Sequence, residues 1–248
     1  MLLLVIPLAF CCEMVDSALG MGYGTTLTPL LLFMGYQPLE IVPAALCSEF
    51  LSGIAAGYFH HEFGNIDLRP GSRDFRVFLL LTTLSIIGVV VAVIIAVRLP
   101  AWAVKLYIGV LVLALGVYIL RNHKKGMPFS WRRIAGIGFL AAFNKGISGG
   151  GYGPVVTGGQ VLSGVKGKSA VGIASLAEGI TSLVGAAVYL LSGAAMPWHL
   201  AIPISVGALL SVPFAAYLVS RIPAVRFTLL IGGMATTLGG FTLIRLLI

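Results

Sequence analysis

Apolar sequence runs almost the whole length of this chain, interrupted only by short polar stretches, and that continuity decides what it can fold into. Segments 2–34, 40–60, 75–97, 101–120, 134–163, 170–192, 198–219 and 225–247 are each predominantly apolar. Each is long enough for a helix to cross a hydrocarbon core of roughly 30 Å, which takes about 20 residues. No stretch is left over for a water-soluble domain. Only 10% of the 248 residues are charged, against about 25% in ordinary soluble domains. The sequence therefore predicts an all-α polytopic protein, multi-pass in the cell (inner) membrane, with the lipid bilayer as its surroundings.

Charge supports this reading and excludes another. A formal net charge of +8 in a soluble protein would suggest nucleic acid, but here the basic residues gather at segment ends, where cytoplasmic loops of membrane proteins carry them. No nucleic-acid partner is expected. The start, MLLLVIPLAFCCE, lacks the basic n-region of a signal peptide, and Phe10 before Cys11 spoils a lipoprotein cleavage site. It reads as a retained segment. Cys11, Cys12 and Cys47 lie in apolar segments without metal-ligand spacing and read as packing residues.

The chain also repeats itself. Shifted by 129 residues, GMGYGTTLT (20–28) falls on GGGYGPVVT (149–157), and over 16–64 against 145–193 ten of 49 positions are identical. Glu49 falls on Glu178, the only acidic residue after Asp74. Two similar halves, each an interrupted apolar segment followed by a helix carrying one glutamate, fit a repeat-built secondary transporter. Repeat A is placed at 1–122, with broken segment 2–34 and helices 40–60, 75–97 and 101–120. Residues 123–130 form a cytoplasmic linker. Repeat B is placed at 131–248, with broken segment 134–163 and helices 170–192, 198–219 and 225–247.

Counting charges predicts how the broken segments sit. A single helix over 2–34 would be roughly 50 Å long, far more than the core requires. If all eight segments crossed, the basic residues would divide nine inside to six outside. If segments 1 and 5 instead turn at their glycines and leave by the side they entered, the division becomes twelve to three, with Arg98, Lys105 and Arg245 outside. The positive-inside rule favours these re-entrant, hairpin-like segments. Each half then holds three full spans, an odd number, so the two repeats are expected to be inverted relative to each other.

The glycine clusters mark the candidate site. Gly20, Gly22 and Gly24 with Tyr23, and Gly149, Gly150, Gly151 and Gly153 with Tyr152, let backbone turn and approach a ligand closely. A helix is expected to start after each cluster, with Pro154 at its first position in one half and Thr25, Thr26 and Thr28 at the matching start in the other. Two helix N-termini near the midplane offer free N–H groups and the positive dipole end to a small anionic substrate. Lys145, with Asn144 and Ser148 beside it, would recognise its charge, because an ammonium in the membrane needs a partner or a task. The repeat mate of Lys145 is Asp16, so the site cannot be symmetric. Glu178 has Ser175 and Thr181 three residues either side, and Glu49 has Ser52, polar stripes suited to a coupling ion. No cofactor is expected, the coupling ion being H+ or Na+. Homo-oligomer formation is compatible with this pattern.

The paired G-x-G-x-G clusters, the length near 250 residues and the charge layout resemble the TauE/SafE sulfite exporter family, also called the sulfonate uptake permeases. Members often read G-x-G-G-G, then aliphatic residues and a proline; here Pro29 takes the later place in the first cluster, while Pro154 directly follows Gly153 in the second. The resemblance implies a secondary active transporter of sulfite, organosulfonates or related sulfur oxyanions working by alternating access. It carries over the glycine clusters as site elements, whereas the charged residues rest on the argument above.

Competing readings have their own residues. Ser148 in GISGG, with His61 and Asn65 earlier in the chain, matches the order of a rhomboid-like intramembrane serine protease. His61 falls at the end of segment 2 beside basic Arg69, Arg73 and Arg76, whereas Ser148 falls near the midplane, so no enzyme is expected. A metal or cation carrier would use His60, His61 and Glu62, and His123 and His199 fall in loops. An anion channel would share the anion site without coupling.

Overall fold

A computed structural model describes residues 2–96, 101–122, 128–148, 152–191 and 195–247. The described residues form ten α-helices and no strand: α1 (Leu2–Leu19), α2 (Tyr23–Phe33), α3 (Pro38–Glu62), α4 (Arg73–Ala96), α5 (Ala101–Asn122), α6 (Trp131–Ser148), α7 (Tyr152–Leu162), α8 (Gly167–Leu191), α9 (Trp198–Arg221) and α10 (Ala224–Leu247). Both long apolar segments are broken where the glycines fall. In the first, Gly20 (φ 70°) and Gly22 (φ 129°) adopt left-handed backbone between α1 and α2, a conformation that side chains disfavour. In the second, α6 ends at Ser148 and α7 starts at Tyr152, and Gly149, Gly150 and Gly151 lie outside the described residues. At 11 residues each, α2 and α7 are about 16 Å long, half a bilayer core.

The helices are apolar on their outer as well as their inner faces. On α9, Leu200, Ile204, Ala208, Val212, Ala215 and Val219 are buried, while Trp198, Ile202, Val206, Leu210, Phe214 and Tyr217 are exposed at one-turn spacing. A helix of a soluble protein would be polar on that outer face. Among the described residues Glu40–Glu62, Gly167–Leu191, Trp198–Arg221 and Arg226–Ile244 are long and apolar enough to cross a membrane.

Packing follows one scheme in both halves. α1 packs on α9 and α6 on α4, α3 packs on α8, and α5 on α10. Small residues set the closest approaches, as is usual where helices associate within lipid. Gly53 faces Gly179, Gly57 faces Leu176, Gly185 faces Leu46 and Gly172 faces His60, so α3 and α8 run antiparallel. Gly109 against Leu243, Gly116 against Thr236 and Gly239 against Leu113 make α5 and α10 antiparallel as well.

The α6–α7 segment reverses on itself. The Ser130 N–H donates to the Ser163 carbonyl over 3.0 Å, and the Arg133 guanidinium donates to the carbonyls of Leu162, at 2.9 Å, and Pro128. The beginning of α6 and the end of α7 thus lie together, with Arg133 satisfying carbonyls that a helix end leaves unpaired. Arg73 stacks over Phe129 and Arg76 over Trp131 at this same end. Lys168, at the start of α8, donates to the Ser220 carbonyl at the end of α9 over 2.7 Å. One end of the bundle therefore gathers Arg69, Arg73, Arg76, Arg132, Arg133, Lys166, Lys168 and Arg221. The opposite end holds a His199–Glu40 contact of 3.5 Å between the starts of α9 and α3.

The Gly53–Gly179 crossing has no room for a methyl group. A Cβ on Gly53 would lie 2.6 Å from the Ser175 carbonyl oxygen and 2.7 Å from Gly179 Cα, backbone atoms that cannot swing aside. Gly53→Ala should therefore destabilise the protein by about 1–3 kcal/mol, as overpacking does, and lower its melting temperature in detergent. Gly233→Ala, with nothing within 4 Å of the added carbon, should leave the melting temperature unchanged or raise it through better helix propensity.

Candidate functional site

Gly153 of the second cluster packs against the glycine turn of the first inside the bundle. A Cβ on Gly153, in the first turn of α7, would lie 2.5 Å from the Gly20 carbonyl oxygen and 2.8 Å from Met21 Cα. Only glycine permits that approach of helix to turn. Thr157, one turn further along α7, donates its hydroxyl proton to the Gly20 carbonyl over 2.8 Å. The break in the first half is thus stitched to the helix start in the second, over 137 residues of sequence.

The tyrosines of the two clusters are both buried, and each hydroxyl meets a serine on a neighbouring helix. Tyr23 pairs with Ser48 of α3 and Tyr152 with Ser85 of α4, each at 2.7 Å. A buried phenol requires such a partner. Pro154 is the third residue of α7 and not its first, as the sequence suggested. The placement is still tolerated, because the first four N–H groups of a helix lack intrahelical acceptors.

The start of α2 is occupied by acidic side chains of the chain itself. Asp16, 8% exposed on α1, accepts the Tyr23 N–H at Oδ1 over 3.0 Å, while its own carbonyl accepts the Gly20 N–H at 2.5 Å. The Glu49 carboxylate lies beside Gly24 in the same first turn, and Ser182 of α8 donates its hydroxyl proton to Glu49 Oε2 at 2.7 Å. Carboxylates at a helix N-terminus take up its unpaired N–H groups and complement its dipole. Of the two N-termini expected to receive an anion, that of α2 has one N–H, that of Tyr23, taken by a carboxylate of the chain itself.

A third carboxyl group, not singled out in the sequence, lies beside these. Glu13 is 3% exposed. It accepts a hydrogen bond from the Ser17 hydroxyl at 2.6 Å and a second from Ser52 of α3. The i, i+3 and i+4 spacing of Glu13, Asp16 and Ser17 on one helix face was the available signal. Behind them, His60 Nε2 lies 2.9 Å from the Ser17 carbonyl oxygen. A carbonyl only accepts, so Nε2 carries the proton, and Nδ1 accepts from Asn65 Nδ2 at 3.1 Å. Asn65 uses its other amide proton on the Ala216 carbonyl at 2.8 Å.

The remaining sequence candidates divide. On α8, Ser175 and Thr181 are buried and Glu178 is half-buried. Thr181 returns its hydroxyl to the Ala177 and Glu178 carbonyls, whereas the Ser175 hydroxyl is buried without a hydrogen-bond partner. Asn144, Lys145 and Ser148 fall on the last turns of α6, but their side chains, like that of Thr25, lie outside the described residues. The two residues that the protease reading takes from the end of α3 have other partners. Asn65 binds His60, and His61 Nδ1 faces the Ile66 carbonyl oxygen at 3.2 Å. Among the described residues no group of three or more His, Cys, Asp or Glu side chains is placed to hold a metal ion.

Apolar outer faces, spanning helices and a half-length helix packed on the glycine turn that precedes another fit a multi-pass membrane protein of the transporter class. The family model described as "Sulfite exporter TauE/SafE" matches residues 5–242, and the chain belongs to this family of membrane transporters. It is also similar to the "Probable membrane transporter protein YtnM" of Bacillus subtilis (strain 168), with 29% identity over 247 residues, 94% of this chain and 79% of that protein. No solved structure matches it.

Thr157→Val keeps the side-chain shape but removes the donor to the Gly20 carbonyl. An unsatisfied buried carbonyl costs about 1–3 kcal/mol, so thermal unfolding in detergent should occur at lower temperature. Thr237→Val, which removes a hydroxyl from an exposed position on α10, should be close to neutral.

Proposed function

We propose that this protein is a secondary active transporter of small sulfur-containing anions, sulfite or organosulfonates, that works by alternating access between two inverted repeats and draws on an ion gradient. The observation that carries the reading is the meeting of the two glycine-broken segments, Gly20 against Gly153, in a chain of the TauE/SafE family. Half-helix termini that meet inside the bilayer are tolerated where protein or a water-filled cavity satisfies them, and transporters build substrate sites from them. The printed name of the B. subtilis relative also describes a membrane transporter.

Inversion is supported by helix direction. Helices α3 and α8 occupy equivalent places in the two halves, as do α5 and α10, and each pair packs antiparallel. An operation that exchanges the halves must then reverse helix direction, which places its axis across the helices and in the membrane plane. The gathering of arginines and lysines at one end supports a cytoplasmic orientation for that end. Segments 2–34 and 134–163 are then re-entrant hairpins, both termini are outside, and residues 123–130 form a cytoplasmic linker.

In this reading the first turn of α7, with Tyr152 and Gly153, faces the anion, and Lys145 supplies the opposing charge together with Asn144 and Ser148. Glu178 on α8 is the first candidate for proton or sodium coupling and Glu49 the second. Ser175, with its unpartnered hydroxyl, lies one turn from Glu178.

Three measurements bear on the proposal. Reporters fused after Lys125 and after Lys168 should both report from the cytoplasm; opposite sides would restore eight crossings and remove the inversion. Lys145→Gln should weaken binding of sulfite or an organosulfonate about tenfold, equivalent to about 1.4 kcal/mol, and wild-type affinity in that variant would overturn the role given to the lysine. In reconstituted vesicles Glu178→Gln should keep anion binding but lose acceleration by an imposed pH or sodium gradient. A variant that remains fully gradient-driven would shift coupling to Glu49.

A further inference from the structure

At the basic end of the bundle two arginines lie flat on aromatic rings. Arg73 and Arg76 open α4 three residues apart, which puts their Cβ atoms about 5–6 Å apart on one helix face. The Arg73 guanidinium is 5.0 Å from the centre of the Phe129 ring and that of Arg76 is 5.9 Å from the centre of the Trp131 ring. The two rings themselves meet edge to face at 4.9 Å. A ring holds a guanidinium by its face and leaves the N–H groups around its rim to other acceptors. Among the described residues neither arginine pairs with a carboxylate. Asp67 accepts the Arg69 N–H at 3.0 Å and Asp74 accepts the Asp67 N–H at 3.2 Å. Arg76 uses Nε on the Ser72 carbonyl at 3.4 Å, not its two terminal nitrogens. Arg73, Arg76, Trp131 and the adjacent Arg132 are all exposed.

Beyond this cationic pair the surface turns apolar. α4 and α6 both begin at this end and pack side by side, with Gly138 against Leu81 and Leu84. From Arg76 the outer stripe of α4 continues through Leu79 and Ile87, and from Arg132 that of α6 continues through Gly136 to Phe139, all of them exposed. A Cβ on Gly136 would meet nothing within 4 Å, so the surface dips there. A free phosphate, a nucleic acid or an acidic peptide would engage the arginines and leave the apolar strip unused. A molecule with an anionic phosphate at one end and hydrocarbon at the other engages both. We propose that the outer surface of α4 and α6 is a site for one anionic phospholipid, its phosphate held by Arg73 and Arg76 and a chain lying along Leu79, Gly136 and Phe139. Arginine pairs with phosphate through two parallel N–H···O bonds, and basic pockets between helix ends at a membrane surface receive such headgroups. The site does not depend on which substrate the protein carries. Arg73 and Arg76 belong to the first half of the chain and Trp131 and Gly136 to the second, so the lipid ties the two halves together at that surface.

Native mass spectrometry of the purified full-length protein in detergent, with dioleoyl phosphatidylglycerol or dioleoyl phosphatidylcholine added, tests this. Wild type should retain one phosphatidylglycerol at concentrations that leave phosphatidylcholine unbound; equal retention of the two overturns the proposal. The double variant Arg73→Gln/Arg76→Gln should lose at least about tenfold in phosphatidylglycerol affinity. Arg121→Gln/Arg226→Gln, which removes the same charge from exposed positions elsewhere, should keep wild-type affinity. An equal loss in both variants assigns the binding to net charge, and no loss in the first places it elsewhere; either result overturns the proposal. Inorganic phosphate or glycerol phosphate should not displace the lipid at equal concentration, and displacement would make the site one for free phosphate. If the arginine variant does not fold, fluorescence decides. With Trp102 and Trp198, the other two tryptophans, replaced by Phe, Trp131 in phosphatidylcholine vesicles should be quenched more strongly by phosphatidylglycerol brominated near the headgroup than by phosphatidylcholine brominated in the same way at the same mole fraction. Equal quenching overturns the proposal.

Discussion

A helix that stops inside a bilayer leaves backbone groups without partners, and the rest of this structure is arranged around satisfying them. Hydrocarbon offers no hydrogen bonds, so each unpaired N–H or carbonyl there costs several kcal/mol. The break between α1 and α2 creates such groups, and the start of α7 lies against it. Thr157 donates to the Gly20 carbonyl, Asp16 accepts the Tyr23 N–H, and the missing side chain of Gly153 lets the two breaks come close enough. The meeting of the broken segments is thus required by solvation before it serves any ligand.

The same absence of water explains how the halves are joined. Within lipid no hydrophobic drive pulls apolar helices together, and close contact between backbones takes its place. Gly53 and Gly179 bring α3 and α8 together at their crossing, and Gly116 against Thr236 does so for α5 and α10. The polar network of Ser17, His60 and Asn65 ties the end of α3 to α1 and α9. Large apolar side chains remain for the outer faces, where α9 presents Ile202, Leu210 and Phe214 to lipid.

Helical content and the two broken segments were legible because they depend on local composition. Runs of apolar residues set the helices, and Gly20 and Gly22 take backbone angles that few other residues would. The charge count expected segment 134–163 to leave by the side it entered, placing Lys166 and Lys168 with Arg132 and Arg133, and the start of α6 does lie against the end of α7. Partners distant in sequence were not legible. Nothing near Asp16 announces that its carboxylate turns back to a backbone N–H seven residues on. Glu13 shares a helix face with Asp16 and Ser17, but nothing near it announces Ser52, which comes beside it from α3. The sequence likewise does not announce that the turn after α3 brings Asn65 back on His60.

The two halves of the chain carry similar sequence, and their side chains make them unequal. Glu49 and Glu178 fall on each other when the sequence is shifted by 129 residues, but their surroundings do not correspond. Ser182 donates to Glu49, while the position that mirrors Ser182 in the first half is Gly53, which has no side chain and is pressed against Gly179. The glycine that lets α3 and α8 cross thereby denies Glu178 the hydroxyl that Glu49 receives. Whatever partners Glu178 has must differ from those of its mate, just as Asp16 differs in charge from Lys145.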